Sequence, residues 1–177
     1  MDKGIEKPLK NSAFIDAQNL YLGAKADGWI VNHKKFCVYL KEKYKCDEIY
    51  YFVGNLRDEH SQMYMELQKA GYILMFREHA SSSVSEKKGN VDTDVVFEMM
   101  RQYAEEDATR KFVLISGDGD YFKTIQHLKE RDRLKKVLLP NRQFASSLYK
   151  KLGSEYYDFM QNLQSHLEYK KTKEKGS

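Results

Sequence analysis

The chain has 177 residues, a formal net charge of +4, 13% aromatic residues and two cysteines. That length suits one domain with one proper core, and the aromatic content with short, periodic apolar segments excludes a disordered chain. Cys37 and Cys46 lack the spacing of a disulfide framework or a zinc site, no run is long enough to span a bilayer, and residues 2–11 have no apolar leader core, so a cytoplasmic protein with no membrane partner is expected.

In chain order, strand-like and helical patterns alternate. Residues 1–11 read as a polar segment. The run 13–15 reads as a buried strand that ends in Asp16, with Asn19 three residues on, over the same strand-to-helix turn. Phe36, Leu40 and Tyr44 recur at helical spacing, and 49–53 reads as a strand. Met63, Leu67 and Ala70 form a second stripe, closed by Gly71 as a C-cap, before a strand at 72–76. Residues 79–91 have no apolar period and read as a mobile loop, from which Lys88 can reach a phosphate. Asp92 and Asp94 open a helix whose apolar face is Val95, Val96, Met99, Met100 and Tyr103.

The run 112–115 is the strongest strand, and it ends in Ser116-Gly117-Asp118-Gly119-Asp120. A helix with Phe122, Ile125 and Leu128 follows, then a strand at 137–139. Arg142, beside Pro140-Asn141 at the start of a further helix, is placed to touch a backbone phosphate. A last amphipathic stretch with Phe159, Leu163 and Leu167 runs into a frayed basic tail. The division expected is 1–11, a folded domain at 12–160, and a helix end and tail at 161–177.

Short strands separated by helices imply a three-layer α/β/α sandwich with a mainly parallel central sheet. Ligands in such folds bind outside the carboxyl ends of the strands, where Asp16, Asp118 and Asp120 fall. Clustered carboxylates repel unless a cation neutralises them, and hard cations prefer oxygen ligands. The expectation is a Mg²⁺ or Mn²⁺ site, with Gly117 and Gly119 taking positive φ or allowing a ligand close. The same acids also suit turns and helix N-caps. Tyr121 is either a base-stacking residue or core. Basic residues at 87–88, 129–136, 142 and 150–151 suggest a rim for a phosphodiester, although solvated helix faces have the same composition.

No phosphate-binding P-loop, dinucleotide fingerprint or nucleophile elbow is present. Gln18 stands where an aspartyl-phosphate enzyme would repeat its acid two residues after Asp16. Metal chemistry remains.

Three patterns occur in order: Phe14-Ile15-Asp16-Ala17-Gln18-Asn19, Lys88-Gly89-Asn90-Val91-Asp92 and Ser116-Gly117-Asp118-Gly119-Asp120-Tyr121. With Leu138-Leu139-Pro140-Asn141-Arg142, this set resembles the NYN family of the PIN-like nuclease superfamily over residues 12–160. The resemblance implies a PIN-like fold, divalent-metal binding and ribonuclease activity leaving 5′-phosphate and 3′-hydroxyl ends. Asp16, Asp92 and Asp118 match the family's metal-binding acids, and Asn19 and Asp120 its supporting polar positions. Lys88, Arg142 and Ser116 are expected on the substrate side, Asp94 is a further acidic candidate, RNA is the expected partner, and a homodimer is one candidate assembly that the sequence does not decide. Gly119 stands where the family often has Ser, and Tyr121 where it often has Phe. A binding module on the same fold, or a small-molecule phosphohydrolase, are the alternatives.

Overall fold

The computed structural model describes residues 10–77 and 91–170. Six runs of extended chain make one all-parallel sheet: β1 (Asn11–Asp16), β2 (Cys46–Val53), β3 (Ile73–Phe76), β4 (Phe112–Ile115), β5 (Leu134–Leu139) and β6 (Tyr157–Phe159). Their order is β3-β2-β1-β4-β5-β6. Every residue of β1 and β4 is buried, as expected of central parallel strands covered on both faces.

The helices are α1 (Ala17–Ala26), α2 (His33–Tyr44), α3 (Ser61–Ala70), α4 (Asp92–Glu105), α5 (Phe122–Glu130) and α6 (Gln164–Leu167). Strand pleating sends alternate residues to opposite faces. Ala13, Ile15 and Tyr51 meet Leu20, Phe36, Leu40 and Leu67 from α1, α2 and α3. Phe14, Phe52 and Leu114 meet Val95, Met99, Ile125 and Leu128 from α4 and α5. The expected three-layer sandwich is therefore the observed architecture.

Local chemistry explains the helix ends. Asn32 caps α2 by accepting the Lys35 N–H at 3.1 Å, and Gly71 closes α3 at φ 106°.

Four details differ from the sequence reading. Tyr64 rather than Met63 is the buried partner of Leu67 on α3. Residues 147–152 form a 3₁₀ helix rather than an α-helix. The stretch after Tyr156 begins with the three-residue strand β6, too short to show a period of its own. The packed chain also runs past residue 160. Leu167 is buried in the core, its carbonyl accepts the Asn32 N–H at 2.7 Å, and the Tyr169 N–H reaches the Ile30 carbonyl at 2.8 Å.

Helix α1 is seated directly on the turn that follows β5. A Cβ at Gly23 would lie 2.5 Å from Pro140 Cβ and 3.0 Å from its carbonyl carbon, while Asn141 Nδ2 donates to the Gly23 carbonyl at 3.2 Å. Replacing a helical Gly with Ala ordinarily stabilises by roughly 0.5–1 kcal/mol. Here the clash with rigid ring and backbone atoms reverses the sign, and Gly23→Ala is expected to cost about 1–3 kcal/mol. A urea midpoint that rises in the variant would refute this close seating.

Candidate active site at the switch point of the sheet

β1 and β4 are neighbours, yet the chain leaves β1 into α1 on one face and leaves β4 toward α5 on the other. Such a reversal opens a crevice at the carboxyl edge of a parallel sheet. Asp16, the last residue of β1, is buried, and its Oδ1 accepts the Asn19 N–H at 3.0 Å. Asn19 then crosses the crevice, its Oδ1 accepting the Gly117 N–H at 2.8 Å. The two strand ends are thus pinned to each other.

After β4, Ser116 Oγ accepts the Asp118 N–H at 3.2 Å, and Asp118 Oδ1 accepts the Asp120 N–H at 3.0 Å. Tyr149 closes the turn from behind by donating its hydroxyl to the Asp118 carbonyl. Asp92 and Asp94 lie in the first turn of α4, where the helix dipole favours negative charge. The result is a cluster in which Asp92, Asp118 and Asp120 each offer one carboxylate oxygen, all within 4.8 Å of one another. An all-oxygen donor set of this size fits a hard divalent cation.

Asp16 is linked to the cluster through Tyr121, which is fully buried. The Tyr121 hydroxyl lies 2.7 Å from Asp92 Oδ1 and 3.2 Å from Asp16 Oδ2. Burial raises the Asp16 carboxyl above its usual range. The Asn19 N–H and the Tyr121 hydroxyl pull it back down, and the Asp92 and Asp118 charges push it up again. Burial, followed by the Asp16 charge, holds the Tyr121 phenol well above its ordinary range, so it remains a proton donor. Tyr121 was legible in the sequence only as a base-stacking or core residue. In the fold it is a buried donor between two acids.

Removing that hydroxyl leaves two carboxylates facing each other without their shared donor. Tyr121→Phe is expected to cost about 1–3 kcal/mol in EDTA. Saturating Mg²⁺ or Mn²⁺ should then raise the melting temperature of the variant more than that of the parent, because a cation relieves the exposed repulsion. Equal shifts in both proteins would show that the hydroxyl does not shield the pair.

Other expected residues fall as follows. Ser116 is fully buried, and its hydroxyl accepts the Asp118 N–H within the turn. Arg142 is exposed, with its guanidinium 4.1 Å from the Phe159 ring centroid. Asp94 is half-buried, and one of its oxygens has no hydrogen-bond partner among the described residues. Lys88 and the rest of the loop 79–90 lie outside the described residues.

Gly117 and Gly119 do not adopt positive φ, contrary to expectation; among the described residues the glycines that do are Gly28, Gly71 and Gly153. They matter through close packing. A Cβ at Gly117 would lie 3.2 Å from Ala145 Cα, and one at Gly119 would lie 2.8 Å from Ser146 Oγ. Ser146 therefore occupies the space that a side chain at 119 would need.

Residues 141–146 form the other wall. Asn141 Oδ1 accepts the Gln143 and Phe144 N–H groups, and the Ser146 N–H donates to the Gly117 carbonyl at 2.9 Å. The turn carries Phe144 at 71% exposure, an aromatic ring that sequence patterning does not single out.

Residues 11–159 match the NYN domain family. The chain belongs to that family. The NYN domain takes in Asp16, Asn19, Asp92, Asp118, Asp120 and Arg142, and an NYN domain with three clustered carboxylates suggests nuclease chemistry. The "Low amplitude and bright protein LabA" of Synechococcus elongatus is 23% identical over 135 residues, covering 71% of this chain and 70% of LabA. A solved structure of a protein of unknown function, VPA0982 from Vibrio parahaemolyticus, superposes with a TM-score of 0.73 at 16% identity. It covers 96% of this chain and 100% of its own, and shows the fold alone. Among the described residues, no helix is long and apolar enough to cross a membrane.

Proposed function

We propose that this NYN domain is a divalent-metal-dependent ribonuclease acting on single-stranded RNA. The observation that carries the reading is the convergence of Asp92, Asp118 and Asp120 within 4.8 Å at the switch point of the sheet. Asp92, Asp118 and Asp120 would hold the ion. Asp16 completes the negative charge from behind Tyr121, and Asn19 locks the two strand ends in register. Mg²⁺ or Mn²⁺, when bound, supplies a polarised phosphodiester, an activated water and charge stabilisation at the leaving oxygen.

The chain's own groups do the rest. Arg142 and Lys150 are exposed cations lining a small hollow with Tyr149, whose hydroxyl bonds the Asp118 carbonyl, and are suited to steering a phosphodiester backbone. Phe144 offers an exposed face on which a base can stack, the contact that single strands use and duplexes hide. Asp94 lies two residues beyond the cluster's Asp92 on α4 and is kept as a supporting acid. The two free, buried cysteines support a reducing, cytoplasmic setting.

The test is incubation of the purified protein with end-labelled single-stranded RNA and DNA in Mg²⁺, Mn²⁺ or EDTA. Cleavage of RNA that needs the metal and leaves 5′-phosphate ends is the expected result. Absence of cleavage, with binding that weakens steeply as salt rises, would replace the ribonuclease with a non-catalytic RNA-binding module.

A further inference from the structure

A groove of about 810 Å³ begins next to Asp16, on the face of the sheet covered by α1 and α3. Its wall begins at Ala17 and Gln18, immediately after Asp16, and runs to Val53, Gly54 and Asn55 at the carboxyl end of β2, the strand paired with β1. Tyr51 in its lining sits close enough to the acids that the Asp16 charge adds to burial in raising its phenol.

We propose that the groove binds one unstacked nucleotide of the RNA, holding its base while a neighbouring phosphodiester lies at Asp92, Asp118 and Asp120. This rests on the ribonuclease reading above. Tyr21, 58% exposed, offers an aromatic face of the kind that single-stranded bases use, while Trp29, Tyr51 and Tyr64 form the buried back wall of the groove. Gln18 and Asn55 add neutral donors and acceptors suited to base edges. Among the described residues, the indole N–H of Trp29, a residue only 3% exposed, has no hydrogen-bond partner, and neither has Nδ1 of His33, also in the lining.

Charge selects a nucleotide over an apolar chain. Lys25, Arg57 and His60 line the groove, and no aspartate or glutamate is among the described lining residues. A planar ring system carrying a phosphate matches that lining. A volume within the roughly 300–1,000 Å³ of ordinary small-molecule sites accommodates it.

Trp29 is the chain's single tryptophan, so its emission reports on this groove directly. Titration of the full chain with AMP, GMP, CMP and UMP in EDTA should give a saturable change with at least one of them, and none with ribose 5-phosphate. Met63 lines the groove at 39% exposure, and Met63→Glu adds a carboxylate there without touching the core. It should weaken nucleotide binding at least tenfold, and Tyr21→Ala, at a position 58% exposed, should weaken it several-fold.

The proposal is overturned if no nucleotide saturates the signal, if ribose 5-phosphate binds equally well, or if Met63→Glu changes nothing. Saturation by the apolar dye 8-anilinonaphthalene-1-sulfonate but by no nucleotide would assign the groove to an apolar partner and also overturn it. EDTA stops any metal-dependent reaction, so nucleotide binding by a protein that never cleaves RNA would sink only the ribonuclease. Metal-dependent cleavage without nucleotide binding would sink only the groove.

Discussion

Asp118→Asn is expected to lower metal-dependent RNA cleavage by on the order of 10³-fold, the scale of losing one preorganised electrostatic group at a reacting centre. The fold should survive, because an asparagine Oδ1 can still accept the Asp120 N–H that Asp118 accepts at 3.0 Å. Asn is also as good a cap as Asp. What disappears is one of three charges whose oxygens lie within 4.8 Å of one another. Asp120→Asn should fall as far if the three-acid cluster holds the ion.

Asp16→Asn is the informative contrast. Its carboxylate is set behind the Tyr121 hydroxyl and outside the cluster, so it should cost only about 10–100-fold, the range of groups that support a metal ligand. Single-turnover cleavage with an unchanged melting temperature checks all three. Full activity in Asp118→Asn would show that the chemistry lies elsewhere. An Asp16→Asn loss equal to that of Asp118→Asn would make Asp16 a ligand itself.

The second large effect is acid destabilisation through His33. Its ring stands edge-on to Tyr51 and Tyr72, at centroid distances of 5.4 and 6.0 Å, and burial lowers its pKa from 6.5 to about 4. The unfolded chain therefore binds more protons than the folded one between those values. The stability contributed by neutral His33 is complete above pH 6.5 and is lost as pH falls toward 4. The loss amounts to about 3 kcal/mol. Asp16, with its raised carboxyl, works in the opposite sense in acid, so a comparison of variants is needed rather than one curve. His33→Phe keeps a ring in the same aromatic nest and removes the titration. Urea denaturation across pH 4–7 should show a shallower acid limb for the variant, and parallel curves for the two proteins would exclude His33 as the source.

Much of the architecture was open to reading because parallel strands buried on both faces must be short, continuous and apolar. Residues 112–115 and 13–15 satisfied that requirement within the observed β4 and β1. Helices α2, α4 and α5 were legible from apolar periodicity, and Gly71 from the left-handed turn at a helix end. Strand β6 was not, because three half-buried residues have no period and pair only when β5 is already in place.

At the site, residue type at strand ends singled out Asp16, Asn19, Asp118 and Asp120, and an acid at a helix start singled out Asp92. Their division of labour depended on distances that no spacing encodes. The fold gathers Asp92, Asp118 and Asp120, leaves Asp16 behind a tyrosine hydroxyl and turns Ser116 inward. The roles of Gly117 and Gly119 were equally hidden, since the constraint is the approach of Ala145 and Ser146 from more than twenty residues away. The groove between α1 and α3 belongs to the same class. The sequence alone determined which chemical groups and which local elements this protein has, because propensity, pattern and capping act within a few residues. Tertiary structure decided which groups share a charge, a proton or a cavity, because those energies depend on separations of a few ångströms between segments far apart in the chain.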